Sequence, residues 1–174
     1  MNLPNKLTIG RMLAVPVFVA VLLLGHYYVA AIIFILASLT DMLDGMIARK
    51  YDLVTNFGKI MDPLADKLLV ISAFICLVEL GDVKGWMVIV ILAREFTVTG
   101  LRIAAAAEGH VIAAEVTGKI KTVLQMIAVP AILLQNWPFY MIGLPFAEIM
   151  LWAAVVMTVV SGIEYIIKNK RFLK

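Results

Sequence analysis

Six apolar stretches alternate with short polar connectors along the chain: Thr8–Leu24, Tyr28–Ala48, Asp62–Leu80, Trp86–Ala107, Val116–Asn136 and Phe146–Ile167. A bilayer core takes about 20 residues of helix, so the pattern predicts an all-α integral membrane protein of six transmembrane helices with both termini on one side. Turn residues stand where the apolar runs break. They occur at Leu24-Gly25-His26, Leu80-Gly81-Asp82 and Gln135-Asn136-Trp137-Pro138 toward one side, and at Asn56-Phe57-Gly58 and Glu108-Gly109-His110 toward the other. Pro16 and Pro130 fall inside predicted helices, where neighbouring helices must accommodate them. The first stretch, behind Lys6 and Arg11, looks superficially like a secretion signal. With no small-residue cleavage pattern after it, it reads as a retained span.

Composition agrees with the pattern. The chain is 63% hydrophobic and 16% charged, with a mean hydropathy of +1.01, against roughly 45–50% apolar and about 25% charged in soluble domains. Residues 1–174 then form one membrane domain, with no room for a soluble one. A single Cys76 excludes an internal disulfide framework, and with only two histidines, His26 and His110, the donor types argue against a zinc site. The net charge of +3 is too small for a nucleic-acid surface. Its distribution says more. Of 15 Lys and Arg residues, 14 fall on the side of the termini or on spans near it, and only Lys84 falls opposite. This bias places both termini in the cytoplasm, and Trp86, Trp137, Phe139, Tyr140 and the Tyr27-Tyr28 pair form an aromatic belt at the opposite boundary.

Four carboxylates stand where a membrane helix should have none: Asp41 and Asp44 in the second stretch, Asp62 and Asp66 in the third. Each costs about 2.5–3.5 kcal/mol to insert, so it faces a cavity or a partner rather than lipid. At about 100° per residue, Asp41, Asp44, Gly45 and Ala48 share one face, with Arg49 just beyond it. Gly58, Asp62 and Asp66 form a second stripe. Antiparallel neighbours would bring all four acids together near the cytoplasmic ends. Like charges in a poorly hydrated place raise one another's pKa values unless cations intervene. An all-oxygen donor set favours Mg²⁺ or Mn²⁺, which also bind substrate phosphates. The competing structural readings are ion pairing with Arg49 or Lys67, close helix packing at Gly45 and Ala48, and Asp62-Pro63 as a helix N-cap followed by proline at the first helical position. None of these alone accounts for the whole spacing.

Asp41-x2-Asp44-Gly45-x2-Ala48-Arg49-x8-Gly58-x3-Asp62-x3-Asp66 resembles, without departure, the signature of the CDP-alcohol phosphotransferase family, with eight fixed positions over 26 residues. The resemblance implies a six-span enzyme that moves a phosphoryl-linked group from a CDP-alcohol to an acceptor alcohol and releases CMP. It implies a two-metal centre held by Asp41, Asp44, Asp62 and Asp66, with Asp66 also the general base. It further implies a nucleotide site formed by Asp44, Gly45, Ala48, Arg49 and Gly58, and a homodimer, for which no within-span Gly-x-x-x-Gly gives independent support. Three further stretches, Asn2 to Thr8 with Arg11, Ala93 to Arg102, and Gly118 to Thr122, resemble bacterial members that join CDP-diacylglycerol to sn-glycerol 3-phosphate. A bacterial cell membrane with the site facing the cytoplasm follows from the same likeness.

An acceptor carrying its own phosphate needs cations apart from the metal centre. Arg94, Arg102, Lys119 and Lys121 are the candidates, with Thr8 and Arg11 closing the cavity. The bland alternatives are that Glu95 pairs with Arg94, that Lys121 meets lipid headgroups and that Thr99 is an ordinary helix residue. Other acceptors within the family are inositol, inositol phosphate, serine and phosphatidylglycerol, and the basic residues favour a phosphorylated one. A small ion-coupled transporter is the reading from another class. It calls for broken helices or inverted repeats, and neither is visible.

Overall fold

The structure, a computed structural model, describes the backbone of residues 3–50, 56–110, 112 and 115–170, and their side chains except at 3–7, 41–50, 56–60, 62, 63 and 66. Six long helices account for most of it: α1 Leu3–Leu23, α2 Tyr27–Lys50, α3 Asn56–Glu79, α4 Gly85–Ala107, α5 Val116–Leu133 and α6 Phe146–Lys168, with a 3₁₀ turn at Phe139–Ile142 before the last. No strand occurs among the described residues. Every apolar stretch predicted from sequence is a helix. Pro16 and Pro130 lie inside α1 and α5 as expected. Two expectations fail at α3: it begins at Asn56, so Asn56-Phe57-Gly58 is its first turn rather than a connector, and it runs through Asp62 and Pro63, so that pair does not mark a helix start.

The helices end where chain chemistry ends them. At the close of α1, Gly25 takes φ +83°, its N–H bonds to Leu22 O at 2.9 Å, and the His26 N–H bonds to Val21 O at 3.1 Å. This is the glycine-terminated helix end in which a left-handed residue satisfies orphan carbonyls. α5 uses the same geometry with Gln135 at φ 53°, followed by Asn136 at φ 62°. That left-handed turn stops the helix at Leu133, three residues before the expected Asn136. Asn136 then joins the turn to α6: its Nδ2 donates to Leu144 O at 2.7 Å, and its Oδ1 accepts from the Ala147 N–H at 2.9 Å. It thereby satisfies one of the first-turn donors of α6, which has no side-chain cap of its own. Asn136→Ala is expected to cost about 2 kcal/mol, seen as a lowered Tm in detergent with the rate at low temperature preserved.

One apolar core runs through all six helices, with Phe18 and Leu22 of α1, Phe34 of α2, Phe74 and Leu77 of α3, Ile91 of α4, Leu133 of α5 and Val155 of α6 among its members. Phe18 and Phe34 meet at 5.9 Å between ring centroids, beside the fully buried Ala30 and Ala31. A smaller cluster of Val98, Leu101 and Tyr165 joins α4 to α6.

Every helix also turns large apolar side chains outward, among them Leu13, Ile32, Ile75, Ile89, Val123 and Val156. A water-facing surface does not tolerate apolar cover on this scale; lipid does. α5 and α6 are long and apolar enough to cross a membrane, and shorter apolar runs cover Thr8–Leu23 and Tyr27–Thr40. In α3 and α4 charges interrupt the apolar runs: Lys67 follows Asp66 in one, and Arg94, Glu95 and Arg102 sit in the other. The fold is therefore an all-helical one compatible with a membrane protein, with its charges concentrated in the helices that carry the site.

Candidate active site

The backbone of 41–50 closes α2 and that of 56–66 opens α3, so topology brings the two halves of the acid motif to one end of the bundle. The side chains of Asp41, Asp44, Arg49, Asp62 and Asp66, like the positions Gly45, Ala48 and Gly58, lie outside the described residues. Among the described residues no three acidic, histidine or cysteine side chains gather as a metal site.

The basic residues converge. Between α3, α4, α5 and α6 lies a cavity of about 320 Å³ lined by Lys67, Arg94, Arg102, Lys119 and Lys121, with Glu95 and Glu115 as its acids. Five bases against two acids leave a formal excess of three positive charges in one recess. Glu95, only 9% exposed, is the hub. Its Oε1 accepts from Arg94 Nη1 at 3.1 Å and from Lys121 Nζ, while its Oε2 lies 3.7 Å from Lys67 Nζ. Lys67 also donates to Thr99 Oγ1 at 2.8 Å. One carboxylate thus fixes three cations from three helices. Lys67 directly follows Asp66 in the chain, so α3 links the acid motif to this cavity.

The Arg94–Glu95 pair is therefore part of a network that forms the cavity wall, so pairing and site membership are compatible. Lys121 is 3% exposed, which removes it from any headgroup layer. Lys119 and Arg102 remain exposed at the mouth. Thr99 holds Lys67 rather than standing as a bystander. Thr8 and Arg11 are buried on α1, which packs against α2 and α3, and they are absent from the described lining of this cavity.

Sequence reasoning missed Tyr165 and Gly162 of α6. Tyr165, 1% exposed, accepts from Arg102 Nε at 3.3 Å and sets its ring 5.7 Å from the guanidinium carbon. An apolar helix carrying a buried tyrosine hydroxyl was the available signal, since such a hydroxyl normally has a partner. Where the start of α5 meets the end of α6, Lys168 pairs with Glu164 at 2.5 Å and with Glu115 at 3.3 Å, and Thr117 donates to Glu164 at 2.7 Å.

The arrangement offers an electropositive, partly desolvated recess for a phosphate dianion beside a four-carboxylate motif. The family model described as CDP-alcohol phosphatidyltransferase matches residues 1–160, and the chain belongs to that family. It is 50% identical to the CDP-diacylglycerol–glycerol-3-phosphate 3-phosphatidyltransferase of Bacillus subtilis, over 99% of this chain and 97% of the relative. It is 42% identical to the protein of the same name from Rickettsia bellii, over 98% and 97%. A probable phosphatidylglycerophosphate synthase of Mycobacterium tuberculosis is 40% identical over 98% of this chain and 82% of its own length.

Proposed function

We propose that this chain transfers the phosphatidyl group of CDP-diacylglycerol to sn-glycerol 3-phosphate, giving phosphatidylglycerophosphate and CMP. The observation that carries the reading is the cavity with its excess of three positive charges, one residue along α3 from the acid motif. A recess so charged suits an acceptor that brings its own phosphate, which disfavours serine and free inositol. The names of the relatives favour glycerol 3-phosphate over inositol phosphate or phosphatidylglycerol.

In this reading Asp41, Asp44, Asp62 and Asp66 hold two divalent ions, Mg²⁺ or Mn²⁺. The all-oxygen donor set fits hard cations. Such ions, when bound, polarise the phosphorus under attack and offset charge on the pyrophosphate. The rest is done by the chain. Asp66 takes the proton of the acceptor hydroxyl as that oxygen attacks the diacylglycerol-linked phosphorus and the bond to CMP breaks. Gly45, Ala48 and Gly58 leave space for the nucleotide against the backbone, and Arg49 contacts phosphate. Arg94, Arg102, Lys119 and Lys121 hold the acceptor's phosphate, so that its free hydroxyl is delivered in a fixed orientation.

Six crossings and cytoplasmic termini belong to the same proposal, supported by the outward apolar faces of all six helices and the one-sided distribution of bases; a homodimer is proposed from the family resemblance alone. The test is CMP release by purified protein in detergent with CDP-diacylglycerol, Mg²⁺ and labelled glycerol 3-phosphate. Label is expected in phosphatidylglycerophosphate. EDTA is expected to stop the reaction, and Mg²⁺ or Mn²⁺ to restore it. Absence of CMP release with every phosphorylated and unphosphorylated acceptor would overturn the reading.

A further inference from the structure

Arg94 leaves α4 and crosses toward both α5 and α6. Two glycines face it there. An ideal Cβ on Gly162 of α6 would stand 3.0 Å from Arg94 Cγ, and one on Gly118 of α5 would stand 3.0 Å from Arg94 Nη2. Real side chains rarely come so close. Gly162 is helix-interior, where glycine is a poor choice on propensity alone, Gly118 stands in the first turn of α5, and neither has a positive φ that would demand glycine.

The remaining donors of Arg94 are specifically arranged. Glu95 takes Nη1, while Nε is buried and has no hydrogen-bond partner among the described residues. Nε and Nη2 form the edge of a guanidinium that matches two oxygens of a phosphate. We infer that Gly118 and Gly162 are positioning residues: two notches that seat the Arg94 side chain so that its Nε–Nη2 edge is held for the acceptor phosphate. Gly162 passes the stem and Gly118 admits the head, while Glu95 blocks rotation by engaging the third nitrogen. This inference rests on the acceptor-site reading above.

The experiment is a double-mutant cycle with KM for glycerol 3-phosphate and KM for CDP-diacylglycerol measured separately. Gly118→Ala is expected to raise acceptor KM about 10-fold while the KM for CDP-diacylglycerol holds, because the guanidinium must give way by a few tenths of an ångström and misplacing a positioning group is costly. Its Tm should be equal or higher, since alanine favours helix. In an Arg94→Lys background Gly118→Ala should add nothing, because lysine has no Nη2 for the methyl to meet. Gly162→Ala, which meets the stem, is the second variant and is expected to raise acceptor KM in the wild-type background. An unchanged acceptor KM in both glycine variants, or an equal rise from Gly118→Ala with arginine and with lysine, would overturn the notch. If Arg94→Lys alone leaves acceptor KM unchanged, the acceptor-site reading fails instead.

Discussion

Asp66→Asn is expected to lower CMP release by about 10³-fold or more while leaving a folded protein. The amide is nearly isosteric with the carboxylate, so packing is retained. It has no basic oxygen to accept the acceptor's proton, and general-base assistance alone is worth about 10²–10⁴-fold. It also removes one negative charge from a donor set proposed to hold two divalent ions, which weakens their retention. The rate is read from CMP release in detergent at saturating CDP-diacylglycerol and glycerol 3-phosphate, and folding from gel filtration and thermal unfolding. A wild-type rate in Asp66→Asn would remove the residue from catalysis.

The second large effect is expected at Glu95. Its side chain is the counter-charge for Lys67, Arg94 and Lys121 together. Deleting one partner of a buried ion pair costs about 3–5 kcal/mol, because the remaining charge is left uncompensated. Glu95→Ala leaves two such cations, Arg94 and Lys121, beside the half-exposed Lys67, and is expected to lower the folded yield sharply. Glu95→Gln keeps the volume and one acceptor oxygen but not the charge, so it should fold with a lowered Tm. Inorganic phosphate or glycerol 3-phosphate should then recover part of the loss, since an anion that binds only the folded state stabilises it by linkage. Thermal unfolding with and without phosphate checks this. A Glu95→Gln protein as stable as wild type and indifferent to phosphate would show that the cations do not depend on the carboxylate.

The parts legible in the sequence are those encoded by local periodicity. The helices follow from apolar runs and turn residues, and Gly25 ends its helix as a left-handed glycine should. The basic candidates Arg94, Arg102, Lys119 and Lys121 were found because charge in an apolar helix needs a reason, and they share one cavity. What escaped depends on which helix faces which. Lys67 entered only as an alternative partner for the acids of the motif, and it reaches Thr99 and Glu95 on α4. Gly162 and Tyr165 lie in the most apolar helix, 60 or more positions from the arginines they touch. Nothing local marks such a contact. Asp62-Pro63 misled for the opposite reason: the dipeptide is a good local start signal, and α3 nevertheless extends six residues ahead of it.

In the six-span arrangement proposed above, the ion cluster also constrains how the chain enters a bilayer. Arg94 and Glu95 pair within α4, but Lys67 of α3 and Lys121 of α5 reach Glu95 only once those helices lie side by side. α4 threaded alone would expose two arginines and a glutamate to lipid at about 2.5–3.5 kcal/mol for each central charge. α5 alone would expose Lys119 and Lys121. These segments therefore gain from leaving the insertion machinery as a group, with the charges neutralised before lipid surrounds them. The same carboxylate that organises the mature cavity would then act during biogenesis as the tether holding three nascent helices together.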